Sequence, residues 1–302
     1  DGSATEMMIS TSQDFSGASW EAVQDTVLGY DFGSEEGTKT VYVKFRDAAG
    51  NESEVVSDSI VYDVTPPQGG QIAINDGAGV TNSTDLVLTL WASDAQRMKV
   101  SDNGTCSGGT EENYATTKAF TTTQGEGTIS ISVIYYDAAG NESGCIVDTI
   151  ELDQTPPSEP QVSINDGAEY SGSNIVTLSI SATGADYMMI SNEATFAGAS
   201  WRPYETTVAW SLEPGEGVRT VYVRFKDEAG NPTGAPVEAQ DSITVDYTPP
   251  KNVSVVIDDG AEYSNSADHT CTLSLSHDGS ATEMMISTSQ DFSGASWEAV
   301  QD

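Results

Sequence analysis

The sequence predicts an all-β chain of tandem two-sheet sandwiches, each of about 90 residues, arranged as an elongated rod. Short runs of alternating apolar and polar residues are separated by Gly, Pro, Asn, Asp and Ser clusters, and no helical stripe of apolar residues stands out. Landmarks recur at near-equal spacing: T-P-P ends at Pro67, Pro157 and Pro250, and D-x-A-G-N begins at Asp47, Asp137 and Asp227. Residues 278–302 repeat residues 1–25 letter for letter, so one block of three modules spans 277 residues.

These landmarks set the boundaries. Residues 1–67 are the C-terminal part of a module, 68–157 and 158–250 are whole modules, and 251–302 are an N-terminal part that continues as 26–67 of the next block. We therefore expect a window on a longer repetitive array. Modules of this size are large enough for one small core each.

Module 158–250 shows the pattern most fully. Its expected strands are 161–164, 175–182, 187–191, a loose stretch at 201–204, 207–212, 219–225 and 242–246, and seven strands suit two packed sheets. Alternation turns Val176, Leu178, Ile180, Met188, Ile190, Val221, Val223 and Phe225 inward, as it does Val41, Val43 and Phe45 in the first segment. The D-x-A-G-N segment reads as a hairpin turn, with Gly free to take a positive φ and Asp or Asn bonding the turn backbone. In D-x-T-P-P the prolines restrict the backbone and remove amide donors, which ends strand pairing and makes the joint short and stiff.

The formal charge of −36, from 47 acidic against 11 basic residues, argues against binding nucleic acid or an anionic membrane through a basic face. No nucleophile elbow, phosphate loop or dinucleotide fingerprint is present, and carboxylates are too numerous for any pair to mark a glycosidase. We expect no enzyme and no organic cofactor.

The order N-D-G-A-x-Y, M-x-I-S-N, W-x-x-Y, G-E-G-x-x-T-V-Y-V-x-F-x-D-x-A-G-N, D-x-I-x-x-D-x-T-P-P, fullest at 165–250, resembles the tandem bacterial immunoglobulin-like (Big or fibronectin III-like) repeats of large secreted surface proteins and adhesins. The resemblance covers essentially the whole chain and implies an elongated extracellular protein, at the bacterial cell surface or secreted.

Each joint carries a recurring acidic set. At the first these are Asp47, Asn51, Glu52, Asp63 and Asp76; at the second Asp137, Asn141, Glu142, Asp153 and Asp166; at the third Asp227, Asn231, Asp246, Asp258 and Asp259. Oxygen-rich loops suit Ca2+, which takes six to eight oxygen ligands and would freeze the angle between modules. The alternative is that these residues form turns and keep a long fibre soluble.

Cys106 and Cys145 are present together in one module, whereas Phe196 holds the first position in the next module and no cysteine lies near the second. This is the signature of a disulfide and an exported setting. Cys271 aligns with Val176 and is expected to be a small buried apolar residue. Trp20, Trp201 and Trp297 occupy one equivalent site and read as core aromatics. Trp91, Ile134 and Tyr136 should point outward together, a contact patch for a partner.

The function these features imply is a structural stalk or filament of a repetitive surface protein, projecting a distal head. A glycan- or protein-binding adhesin module and a self-assembling multi-chain fibre are the alternatives. The partners would be neighbouring modules, other copies, or a glycan or host surface reached from outside this window.

Overall fold

The computed structural model describes residues 3–233 and 238–300. The chain forms two compact units, Asp1–Pro156 with Glu228–Asn231, and Pro157–Asp227 with Pro232–Asp302. Apart from three one-turn 3-10 helices at the N-D-G and D-D-G sites, the regular elements among the described residues are strands.

In the first unit, residues 68–157 form two sheets. The three-stranded sheet runs Thr117–Thr121, Asp85–Trp91, Gln71–Ile74, and the five-stranded sheet runs Val80–Thr81, Ile146–Leu152, Gly127–Tyr136, Arg97–Ser101, Glu111–Asn113. Leu86, Leu88 and Leu90 of one sheet meet Ile129, Ile131, Val133 and Tyr135 of the other in a single buried cluster, because alternate residues of a strand share a face. The Asp148 side chain crosses from one sheet to accept the Ile74 amide of the other at 2.8 Å.

The second unit repeats the arrangement in residues 158–250, with sheets of three and five strands around Leu178, Ile190, Val221, Val223 and Phe225. Asp241 accepts the Ile164 amide at 2.7 Å. The expected strands are present with small shifts: Tyr187–Ser191 has the expected bounds, Gly217–Lys226 is longer, and Ala239–Val245 starts three residues earlier than its pattern suggests. One element was not anticipated, the two-residue strand Tyr170–Ser171, which pairs parallel with Thr244 and Val245. Two residues carry no readable alternation.

The partial modules are half-sandwiches. Residues 3–67 form one four-stranded sheet, ordered Glu21–Ala22, Ala4–Ser10, Gly37–Asp47, Val56–Tyr62. In 251–300, Ser254–Ile257 pairs with Leu273–Ser276, and Glu283–Met284 with Glu298–Ala299. Val41, Val43 and Phe45 are consequently only half-buried. Cys271, expected to be buried, is a free and exposed thiol; it lies two residues before Leu273–Ser276, outside the strand pair.

Candidate functional site

The T-P-P joint is the recurring feature outside the cores, and its local structure follows from carboxylates that accept backbone amides. Asp63 Oδ1 accepts the Thr65 amide at 3.1 Å, Asp153 Oδ1 that of Thr155 at 3.0 Å, and Asp246 Oδ1 that of Thr248 at 3.0 Å. The glutamate of G-E-G, or of E-E-G in the first segment, supplies a second anchor. Glu36 Oε1 accepts the Val64 amide at 2.9 Å and Thr65 Oγ1 at 2.8 Å; Glu126 takes Gln154 and Thr155, and Glu216 takes Tyr247 and Thr248, in the same way. The Val64 amide and Thr65 hydroxyl hold the Glu36 carboxyl below the usual carboxylate range, and Thr248 does the same for Glu216. Each proline pair is thus fastened to the strand pair that precedes it. The glutamate contribution is legible in G-E-G only once the fold shows that this turn and T-P-P share one end of the module.

The D-x-A-G-N turn closes on itself. Asp137 Oδ1 accepts the Gly140 amide at 2.8 Å and the Asn141 amide at 2.9 Å, and Oδ2 accepts Asn141 Nδ2 at 2.9 Å. Burial works to raise the Asp137 pKa, but the hydrogen bonds from Asn141 and the turn amides outweigh it and leave the carboxyl below its ordinary value. The same Nδ2 reaches back to the carbonyl oxygen of Asp63 at 3.1 Å. Asn231 Nδ2 does likewise to the Asp153 carbonyl at 2.8 Å, with both residues in the first unit. At the first two joints the partner of the aspartate carbonyl is therefore the asparagine 78 residues onward.

The acidic sets divide differently from the grouping the sequence suggested. The 137–141 turn lies at the end where Gln96 N meets Tyr136 O, whereas the Asn75–Gly77 turn and Asp153 lie at the opposite end, where Asp153 N meets Thr81 O. Asp76 is accordingly remote from Asp63, and it accepts Thr89 Oγ1 at 3.0 Å. Asp166 accepts Ser179 Oγ at 3.0 Å, Asp258 the Thr272 amide at 2.7 Å, and Asp259 Ser274 Oγ at 3.5 Å. In the first segment Asp47 is bound up with Ala49 and Asn51, and Glu52 pairs with Lys44. Asp227 is buried, and Glu142 is exposed. Among the described residues no three His, Cys, Asp or Glu side chains converge as a metal site.

Cys106 and Cys145 form a disulfide, with Cα atoms 5.9 Å apart. It ties the loop after Arg97–Ser101 to the start of Ile146–Leu152. In the second unit the equivalent loop residue Phe196 is stacked by the Arg224 guanidinium at 4.3 Å, and Arg224 Nε donates to Glu238 at 2.6 Å. Glu238 stands where Cys145 stands in the other module, one residue before the last strand pairs. In the first segment Lys44 Nζ lies 5.0 Å above the Phe15 ring. Phe15, Cys106 and Phe196 share a left-handed backbone, at φ 57, 56 and 55. One fastening point is thus served by a disulfide in residues 68–157 and by cation–π contacts in residues 3–67 and 158–250.

Trp91, Ile134 and Tyr136 do not form one patch. Trp91 is 49% exposed on the three-stranded sheet, its ring packed over Gly69, where a Cβ would lie 2.6 Å from the indole. Ile134 and Tyr136 belong to the other sheet, and Tyr136 is 7% exposed beneath the Arg97 guanidinium. Alternation assigned the faces but not the side chains that cover them. Nor are the recurring tryptophans core residues. Trp20 and Trp201 are half-buried outside the sandwich under cations, Arg46 at 4.4 Å and Lys226 at 5.0 Å, while Trp297 is exposed.

No protein-family model matches the chain, and no curated protein is similar to it. Among solved structures, the fibronectin(III)-like modules of Clostridium thermocellum CbhA align at a TM-score of 0.39 and 10% identity, covering 58% of this chain and 93% of that chain. The FN1-FN3 domains of chicken CNTN1 align at 0.37 and 12%, covering 80% and 90%. The fold assignment rests on the layering itself: each whole module is a β-sandwich of the immunoglobulin-like or fibronectin III-like kind.

Proposed function

We propose that this chain is a segment of an exported, repetitive stalk in which the modules act as spacers and the T-P-P joints limit bending. The observation that carries the reading is the repeated joint: a proline pair fastened by Glu36 and Asp63 and capped by Asn141, and again by Glu126, Asp153 and Asn231. A carbonyl held by an asparagine from the following repeat resists rotation about the linker. The Cys106–Cys145 disulfide supports an oxidising, extracellular setting, since such bonds persist there and are rare in reducing compartments.

In this reading stiffness comes from hydrogen bonds and proline: Asp63, Asp153 and Asp246 each give an oxygen to a backbone amide of the joint. Small-angle X-ray scattering of the chain in calcium and in chelator is the test. An extended particle with the same maximum dimension in both supports the hydrogen-bonded joint. Shortening in chelator assigns the stiffness to calcium, and a compact particle in both discards the stalk.

A further inference from the structure

Three positions recur on the outer face of the larger sheet, and in each copy they hold one cation. Glu6 lies opposite Arg46, Arg97 opposite Tyr136, and Tyr187 opposite Lys226. The third member, Trp20, Glu111 or Trp201, stands two residues before the partner of the first on the neighbouring short strand. In two copies the cation finds a carboxylate within the set: Arg46 Nε is 2.6 Å from Glu6, and Arg97 is ion-paired with Glu111. In residues 158–250 both of those positions are aromatic. Lys226 Nζ lies 5.0 Å from the centroids of Tyr187 and Trp201, and among the described residues no ion pair reaches it. A third position follows the same rule, since Glu52 bridges to Arg46 and Glu142 to Tyr136, but Pro232 bridges to Lys226. In a chain with 47 acidic against 11 basic residues, three sites around Lys226 that hold glutamate in other copies hold Tyr, Trp and Pro.

We infer that Tyr187, Trp201 and Lys226 form a binding subsite for a carboxylate-bearing sugar unit, of the uronic acid class, supplied from outside the chain. The ligand's carboxylate meets the Lys226 ammonium, as Glu6 and Glu111 meet the cations of the other copies. Charge complementarity selects the sign of the ligand, and the rings select its shape. What replaced the glutamates is flat apolar surface, which a bare carboxylate side chain does not use. A pyranose has one face made of C–H bonds, and that face packs on an aromatic ring. Tyr187 is 38% exposed and Trp201 half-buried, so the ring surface beside the ammonium is open to solvent. The cation–π contacts hold the lysine in place while its three N–H donors remain able to bind an acceptor. The net charge of −36 repels anions at a distance, but at physiological salt that repulsion is screened beyond about 8 Å, which favours short ligands. The subsite concerns one face of residues 158–250 and does not depend on the stalk reading.

The test is calorimetric titration of the 302-residue chain with trigalacturonate, its methyl ester and triglutamate, each at physiological salt. The expected result is saturable binding of one trigalacturonate per chain, at least tenfold tighter than either control. Lys226→Met should weaken it at least tenfold. Trp201→Glu, which installs the carboxylate that Glu111 supplies in residues 68–157, should abolish binding while the thermal transition of residues 158–250 stays in place. Glu111→Trp should free Arg97 in the same way and raise the stoichiometry from one to two. No binding of trigalacturonate overturns the inference. Equal binding of triglutamate overturns it in favour of a site for acidic peptide, and equal binding of the methyl ester removes Lys226 from recognition and overturns it too. Binding that survives Trp201→Glu in a folded chain lies elsewhere and overturns the assignment, and a folded Glu111→Trp chain that still takes one ligand overturns the rule behind it. None of these results bears on the scattering comparison that tests the stalk.

Discussion

Asn141 Nδ2 donates to two oxygens at once, Asp137 Oδ2 within its own turn at 2.9 Å and the Asp63 carbonyl at 3.1 Å. The first bond sets the side chain that makes the second, so turn and joint are one device. Asn141→Ala removes both and should cost about 1–2 kcal/mol of stability. The check is scattering on the variant, which should show a broader distribution of dimensions, while Asn141→Asp, which keeps the size but places a carboxylate against a carbonyl, should do no better than alanine.

Reduction of Cys106–Cys145 should act on one module alone. The bond closes a separation of 39 residues, and the loop-entropy model assigns that about 3–4 kcal/mol. Calorimetry with and without reductant should move one transition down by several degrees and leave the module around Val221 and Phe225 where it was.

The Phe196, Arg224 and Glu238 stack should be exchangeable for a covalent link. Arg224→Ala should lower stability by about 1 kcal/mol, since both the cation–π contact and the partly exposed ion pair are individually modest. The double variant Phe196→Cys with Glu238→Cys should form a disulfide, detectable by mass after thiol alkylation, because both positions superpose on Cys106 and Cys145 in sheet register.

Acid should loosen residues 68–157 through Asp102. Desolvation works to raise its pKa, but hydrogen bonds from Thr122, Thr123 and Gln124 prevail and hold it at about 2, against 3.8 unperturbed. A depressed carboxylate pKa stabilises the fold above the unfolded value and loses that contribution as pH falls through the folded one. Its share, at most about 2 kcal/mol, should be intact above pH 4 and gone near pH 2. Asp102→Asn should flatten the fall in melting temperature over that window.

Gly109→Ala should be among the more damaging single changes. A Cβ there would meet the Val100 carbonyl oxygen at 2.2 Å, on a backbone with φ +75°, and backbone cannot give way as a flexible side chain does. A loss of about 1–3 kcal/mol should appear as a lower denaturant midpoint with an unchanged slope.

The core and its faces were readable because alternation at Val221, Val223 and Phe225 or at Leu86, Leu88 and Leu90 is a local signal, and so was the joint presence of Cys106 and Cys145. The joint chemistry was only half readable. D-x-T-P-P and D-x-A-G-N named the participants, but which copies meet is set by strand direction, which places Asn141 rather than Asn51 against Asp63 and sends Asp76 to the far end. Tyr136 was misjudged for a related reason: a position on the outer face says nothing about a long cation such as Arg97 lying over it.

The left-handed turn shared by Phe15, Cys106 and Phe196 has a consequence for how such a protein diversifies. Because the backbone is already twisted to receive either a ring or a thiol, one loop geometry serves both fastenings. Duplicated copies are then free to drift apart in chemistry while keeping their shape.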